Sequence, residues 1–92
     1  MIKTVEIAVS VKKNLHKIPA PIKKKLFIWV AAVEERGLNE VKKIPGYHDE
    51  PLKGDRQGQR SIRLNKQWRA IYRVINKKIE FVLIEEVTPH DY

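Results

Sequence analysis

The first nine positions alternate. In MIKTVEIAV, Val5, Ile7 and Val9 fall on one side, the period of a strand. From Ser10 the period lengthens. Residues 11–18, VKKNLHKI, place Val11, Leu15 and Ile18 on one stripe, and Ser10 stands where a helix cap belongs. Pro19 and Pro21 interrupt that stripe. A second helical stripe, Ile22, Leu26, Trp29, Val30 and Val33, predicts a helix over 21–36 that ends at Gly37. Lys23, Lys24 and Lys25 fall toward its other face. Two helices joined at a proline corner predict a helical hairpin lying on a sheet.

Residues 38–58 carry Pro45, Pro51 and Gly46, Gly54 and Gly58, and read as mostly loop, with a helical turn near 39–43. Three strands follow. Over 60–65, Ile62 and Leu64 point one way and Ser61 and Arg63 the other. Over 67–75, Trp68, Ala70, Tyr72 and Val74 share one face, and Arg69, Ile71, Arg73 and Ile75 the opposite one. Asn65-Lys66 and Asn76-Lys77 supply tight connections. Residues 78–87 are nearly all apolar through FVLI, as suits a central strand. The order β-α-α-β-β-β predicts an α+β fold: one domain over 1–92, with a helical hairpin on one face of a small, mainly antiparallel four-stranded sheet.

Charge decides which faces matter. The 92 residues carry a formal net charge of +8. On so small a domain that favours a polyanionic partner, with nucleic acid ahead of an acidic protein and an anionic membrane surface last. Residues 53–78 hold nine Lys/Arg and one acid, Asp55, whereas 79–92 hold four acids and no Lys or Arg. Residues 12–25 hold six lysines and no acid. There is no cysteine, which excludes disulfides and thiolate metal sites and fits a reducing cytoplasm. The N-terminus lacks the apolar run of a signal peptide, and no stretch has the length of a membrane span. A cytoplasmic protein with no membrane contact is expected.

The predicted sheet puts its core on the Trp68/Tyr72 face, under the helices. Arg69 and Arg73 then lie on the open face, about 13 Å apart along the strand. Lys53, Arg56, Arg63, Arg69 and Arg73 suit phosphate binding, or charge developing on a transferring phosphoryl group. Arginines alternating inside an apolar strand are unusual decoration, which puts Arg69 first. Glu50, beside these cations, has the chemistry of a general base, and His48 two residues earlier has it too. His90 can move protons near neutral pH, and Tyr92 can stack on a base. Taken singly, a terminal His-Asp-Tyr is ordinarily a solvated tail, and Glu50 or His48 an exposed loop group. No HExxH, Walker loop or GxSxG is present, and His16, His48 and His90 lack metal-site spacing. No metal or small-molecule cofactor is expected.

The stretch EPLKGDRQGQRSIRLNKQWRAIYRV, followed by IEFVLIEEVTPHDY, resembles the RelE/ParE superfamily of bacterial toxins, most closely its YoeB-like and HigB-like branches. PLKG, a Trp-Arg pair inside the Ile-Tyr strand, and a terminal His and Tyr carry the likeness, over about residues 45–92. The resemblance implies the toxin of a type II toxin–antitoxin pair, with a cognate antitoxin as partner. It implies an endoribonuclease that cleaves mRNA in the ribosomal A site without a metal, by attack of a ribose 2′-OH on the adjacent phosphate. By position, Glu50 matches the carboxylate base, Arg69 the strand arginine, and His90 and Tyr92 the terminal acid and stacking pair. HigB-like members use a histidine before the PLKG stretch, so His48 is the rival base. Lys53, Arg56, Arg63 and Arg73 would hold RNA. Asp91 separates His90 from Tyr92, where YoeB-like chains have the two adjacent. Glu85-Glu86 is a second departure, since these acids can pair with Arg63, Arg69 or Arg73 and compete with phosphate. A ParE-like inhibitor of DNA gyrase, acting by binding alone, is the alternative, and an RNA-binding module without activity a third reading.

Overall fold

The computed structural model describes residues 1–76 and 80–89. The elements are β1 (Val5–Ile7), α1 (Val9–Lys13), α2 (Ala20–Arg36), α3 (Leu38–Val41), β2 (Glu50–Pro51), β3 (Arg60–Arg63), β4 (Trp68–Asn76) and β5 (Glu80–Pro89). The sheet order is β1-β5-β4-β3-β2. β1 runs parallel to β5, and every other neighbouring pair is antiparallel. The FVLI strand is therefore central, as its apolar run predicts. The turn expected at Asn76-Lys77 falls partly outside the described residues, and His90 and Tyr92 fall wholly outside them.

The sheet has five strands where the sequence predicts four. The added one, β2, lies in the stretch read as loop and pairs Glu50 with Ser61 and Pro51 with Arg60. Two residues are too few to show any period. Pro51 is accommodated because β2 is an outer strand, where a missing N–H breaks no ladder. The Leu52 N–H then donates to the Gln59 carbonyl at 2.9 Å and extends the pairing.

The first helix also differs. α1 begins at Val9, one residue before the expected cap, so Ser10 lies inside its first turn and Ala8 occupies the cap position without a side-chain bond. It ends at Lys13. The Asn14 side chain donates to the Ser10 carbonyl at 2.8 Å, and a 3-10 turn, Leu15–Lys17, follows. Asparagine competes for backbone groups in this way and breaks the predicted helix in two.

α2 follows the sequence closely. Pro19 precedes it and Pro21 sits in its first turn, where an absent N–H costs nothing. Its stripe of Ile22, Leu26, Trp29 and Val33 is buried. Full burial of an aliphatic side chain such as Leu26 stabilises by roughly 1.5–3 kcal/mol. Gly37 ends the helix at φ 87° and ψ 151°, a conformation open to glycine, and its N–H donates to the Val33 carbonyl at 2.8 Å. The Trp29 ring meets the Tyr72 ring at 5.2 Å between centroids, tilted by 44°. That contact fixes which face of β4 the helix covers and leaves Arg69 and Arg73 on the other. Between β3 and β4, the Asn65 side-chain oxygen accepts the N–H groups of Gln67 at 2.8 Å and Trp68 at 2.7 Å, closing the predicted turn. Among the described residues no helix is long and apolar enough to cross a membrane.

Candidate functional site

Residues paired across an antiparallel sheet point to the same side. The register aligns Glu50 with Ser61, Ser61 with Ile71, and Ile71 with Glu86, one row across four strands. At about 4.8 Å per strand, the two carboxylate-bearing positions stand about 14 Å apart along that row. The next row on the same face aligns Arg63, Arg69 and Thr88. Apart from Arg63, the residues of these rows line an open cleft of about 460 Å³, formed by Glu50, Leu52, Arg56, Ser61, Arg69, Ile71, Glu86, Thr88 and Pro89. Ser61 and Ile71 are its buried floor. Arg69 stands beside them, its guanidinium 3.5 Å from the Ser61 hydroxyl. Among the described residues Arg69 makes no ion pair.

β5 reaches this cleft through an irregularity. The pairing of β4 with β5 slips by one residue between Ile71 and Tyr72, so that Glu86 faces Ile71, Ile84 faces Tyr72, and Glu85 is the extra residue. A bulge of this kind turns two successive side chains toward one face. Glu85 and Glu86 both reach the open face as a result. Glu86 pairs with Arg56. Glu85 accepts from Arg73 Nε at 2.5 Å and from Gln59 Nε2 at 3.3 Å. Gln59 in turn accepts from Arg56 Nε at 2.9 Å. Partial burial works against the charge on Glu85. The hydrogen bonds from Arg73 and Gln59 and the charges of Arg73 and Arg56 outweigh it, and hold the carboxyl below the ordinary carboxylate range.

The loop that presents Glu50 is anchored from below. Asp49 is 1% exposed at its side chain and accepts from Arg60 Nε at 2.6 Å and from the Tyr72 hydroxyl at 2.5 Å. Burial and then this hydrogen bond push the Tyr72 phenol well above its ordinary value. Burial works against the Arg60 charge, but Asp49 more than compensates and raises its pKa further. His48, just before, adopts φ 46° and ψ 48°. This left-handed residue turns the chain so that Asp49 enters the protein and Glu50 joins the sheet.

The sequence candidates therefore separate. Glu50 and Arg69 share the cleft. Arg56 is in it too, but bound to Glu86. Arg73 shares the face and is bound to Glu85. Of the three arginines the sequence offers to Glu85 and Glu86, only Arg73 is taken among the described residues, and the second acid takes Arg56. His48 is exposed and is not among the cleft residues. Lys53 is exposed beyond the cleft. Arg63 lines a different hollow of about 570 Å³, with Lys25, Ile28, Ile44, Tyr47, Leu64 and Lys66. His90 and Tyr92 lie outside the described residues, and Pro89 is the last cleft residue before them. Sequence reading misses Asp49, Gln59, Arg60 and Ser61. Alternation places Ser61 on the open face without giving it a role, and nothing in a period of two marks the other three, because their roles arise from pairing between β2, β3 and the loop.

Known proteins agree with this architecture. Residues 9–86 match the family model of the RelE-like toxin of the type II toxin–antitoxin system HigB. No curated protein sequence matches the chain. Among solved structures, the YoeB/ParE toxin from Agrobacterium tumefaciens superposes with a TM-score of 0.68 at 20% identity, covering 96% of this chain and 99% of that one. The toxin of the archaeal RelE–RelB complex from Pyrococcus horikoshii gives 0.70 at 22% identity, over 97% and 96%. The E. coli DinJ–YafQ toxin–antitoxin complex gives 0.68 at 20% identity, over 98% and 94%. At such identities these structures speak for the fold. The family model speaks for more, since it runs from α1 through every strand of the cleft to Glu86, and it places this chain in the HigB-like family of RelE-like toxins of type II toxin–antitoxin systems.

Proposed function

We propose that the chain is a ribosome-dependent mRNA endoribonuclease working from the open face of the sheet. The observation that carries this reading is the shared cleft of Glu50 and Arg69, a carboxylate and a cation without an acidic partner among the described residues. In the proposed reaction Glu50 takes the proton of a ribose 2′-OH. The 2′ oxygen bonds to the adjacent phosphorus, and the bond to the 5′ oxygen breaks, leaving a 2′,3′-cyclic phosphate. Arg69 stabilises the negative charge that builds on the phosphoryl oxygens. His90, which follows Pro89 in sequence, protonates the departing 5′ oxygen, and Tyr92 stacks on a base. His48 is the weaker candidate for the base, because it lies outside the cleft. Arg56, Arg73 and Lys53 supply phosphate contacts around the cleft, and Arg63 does so from its neighbouring hollow. These steps use side chains alone.

The cognate antitoxin is proposed to be acidic where it touches this chain. The hollow beside Arg63 offers an apolar floor of Ile28, Ile44, Tyr47 and Leu64, rimmed by the cations Lys25, Arg63 and Lys66. An amphipathic segment with acidic flanks is its complement. The cell compartment proposed is the cytoplasm, where translating ribosomes are.

The test is a cell-free translation reaction on a defined message, with RNA ends mapped by primer extension. Cuts are expected only when ribosomes are present. Arg69→Ala should lower the cutting rate by about 100-fold or more, the scale of losing one stabiliser of transition-state charge. Glu50→Gln should fall similarly and His48→Gln little. An intact message would overturn the reading, and inhibition of gyrase supercoiling by the same preparation would put the binding-only alternative in its place.

A further inference from the structure

The two acids of the β5 bulge stand on the face that is otherwise arginine-rich, and each holds one of its arginines. Without the bulge, alternation would send one of them to the helix side, under α1 and α2. With it, Glu86 lines the cleft bound to Arg56, and Glu85 binds Arg73 beside it. Arg69, in the same cleft, has among the described residues one side-chain hydrogen bond, to the Ser61 hydroxyl, and no ion pair. The cleft thus contains one cation ready for an anion and one already occupied by an internal carboxylate. The Arg56–Glu86 pair is half-exposed, 44% and 41% at the two side chains. Exposed pairs are weak, whereas a phosphate offers arginine two parallel hydrogen bonds.

We propose that Glu86 is an exchangeable stand-in for phosphate, occupying Arg56 until an RNA phosphate displaces it, so that it sets the affinity of the cleft for RNA. This rests on the RNA-cleaving reading above. In the resting protein Arg56 is held against Gln59 and Glu86 and kept from stray anions. When RNA enters, its first phosphate is attracted to Arg69. A neighbouring phosphate then takes Arg56, and Glu86 is released to solvent with a counterion of its own. Glu85 provides the same restraint on Arg73. The exchange makes RNA binding weaker and less salt-dependent than the arginine count alone implies, because each displaced carboxylate takes back a cation as the phosphate gives one up.

The experiment measures binding of a fluorescently labelled single-stranded RNA octamer to the purified chain across a salt series. Glu86→Gln is expected to bind about two- to fivefold more tightly at low salt, the scale of one exposed ion pair. Its slope of log affinity against log salt should steepen by up to about 0.7, because no freed Glu86 carboxylate takes back the cation that the phosphate on Arg56 gives up. In an Arg56→Ala background the same substitution should change affinity by less than about twofold, since there is no cation left to release. Glu34→Gln, which removes an equal charge from the exposed face of α2, should leave binding unchanged and separates the local effect from net charge. Equal binding by Glu86→Gln and the native chain, with Arg69→Ala still weakening both, overturns the proposal and leaves the RNA reading intact. A gain from Glu86→Gln that persists without Arg56 overturns it too. Binding that is insensitive to Arg69→Ala overturns the RNA reading, and this proposal with it.

Discussion

Asp49 holds the loop that carries Glu50, and its removal should cost both stability and the cleft. Its carboxylate is 1% exposed and bonded at 2.6 Å to Arg60 and 2.5 Å to the Tyr72 hydroxyl. Tyr72→Phe removes one bond to a charged acceptor while keeping the ring against Trp29. Such a bond contributes about 1.5–3 kcal/mol. Asp49→Ala removes both bonds and strands the Arg60 guanidinium and the Tyr72 hydroxyl. Breaking a buried pair costs about 3–5 kcal/mol, and because Arg60 keeps 28% of its side chain exposed the lower end applies, about 3 kcal/mol. Urea denaturation followed by the fluorescence of Trp29 and Trp68 reads both values. Asp49→Ala should therefore lose more than Tyr72→Phe, and cleavage should fall in the folded variant because Glu50 loses its support. A loss under about 0.5 kcal/mol for Asp49→Ala would show that the triad adds nothing to stability. Equal losses for the two substitutions would show that Arg60 is satisfied without Asp49.

Two further outcomes follow from local geometry. The Tyr72 phenol titrates above its ordinary value of 10.0 in the folded chain, so on raising the pH the unfolded chain gives up this proton first. Stability should hold below about pH 10 and fall above it, with a shallower fall in Tyr72→Phe, where Tyr47, also raised by burial, still contributes. Denaturation midpoints at pH 8 to 11 check this, and identical slopes for the two proteins would refute it. Gly37→Ala forces a Cβ onto a backbone at φ 87° and to within 2.7 Å of the Met1 side chain. A loss of about 1–3 kcal/mol in the same denaturation assay is expected, and no loss would mean that the end of α2 can rearrange freely.

Most of the fold was legible because its periods are long enough to count. Four buried positions on α2 at helical spacing, and alternation through β4, decide which face holds the core and which holds Arg69 and Arg73. The pairing of Trp29 with Tyr72 then follows. Glu50–Pro51 was not legible as a strand, since a two-residue edge strand is defined only by the partner it pairs with. Ser10 misled because a capping residue marks a helix start only where the backbone leaves it outside the first turn, and here the turn closes on Ala8. The cleft was legible as a list, Glu50 and Arg69, but not as a charge balance. That balance depends on the bulge, and the sequence does contain its trace. Val82 and Ile84 are two apart and Val87 is three further on, yet all three pack toward the core. A strict period of two cannot put Ile84 and Val87 on one face, so one extra residue must stand between them. Two glutamates fill that gap, and neither faces the core. The same irregularity that breaks the period puts both acids beside Arg56 and Arg73, so the resting charge of the cleft is set by backbone register as much as by composition.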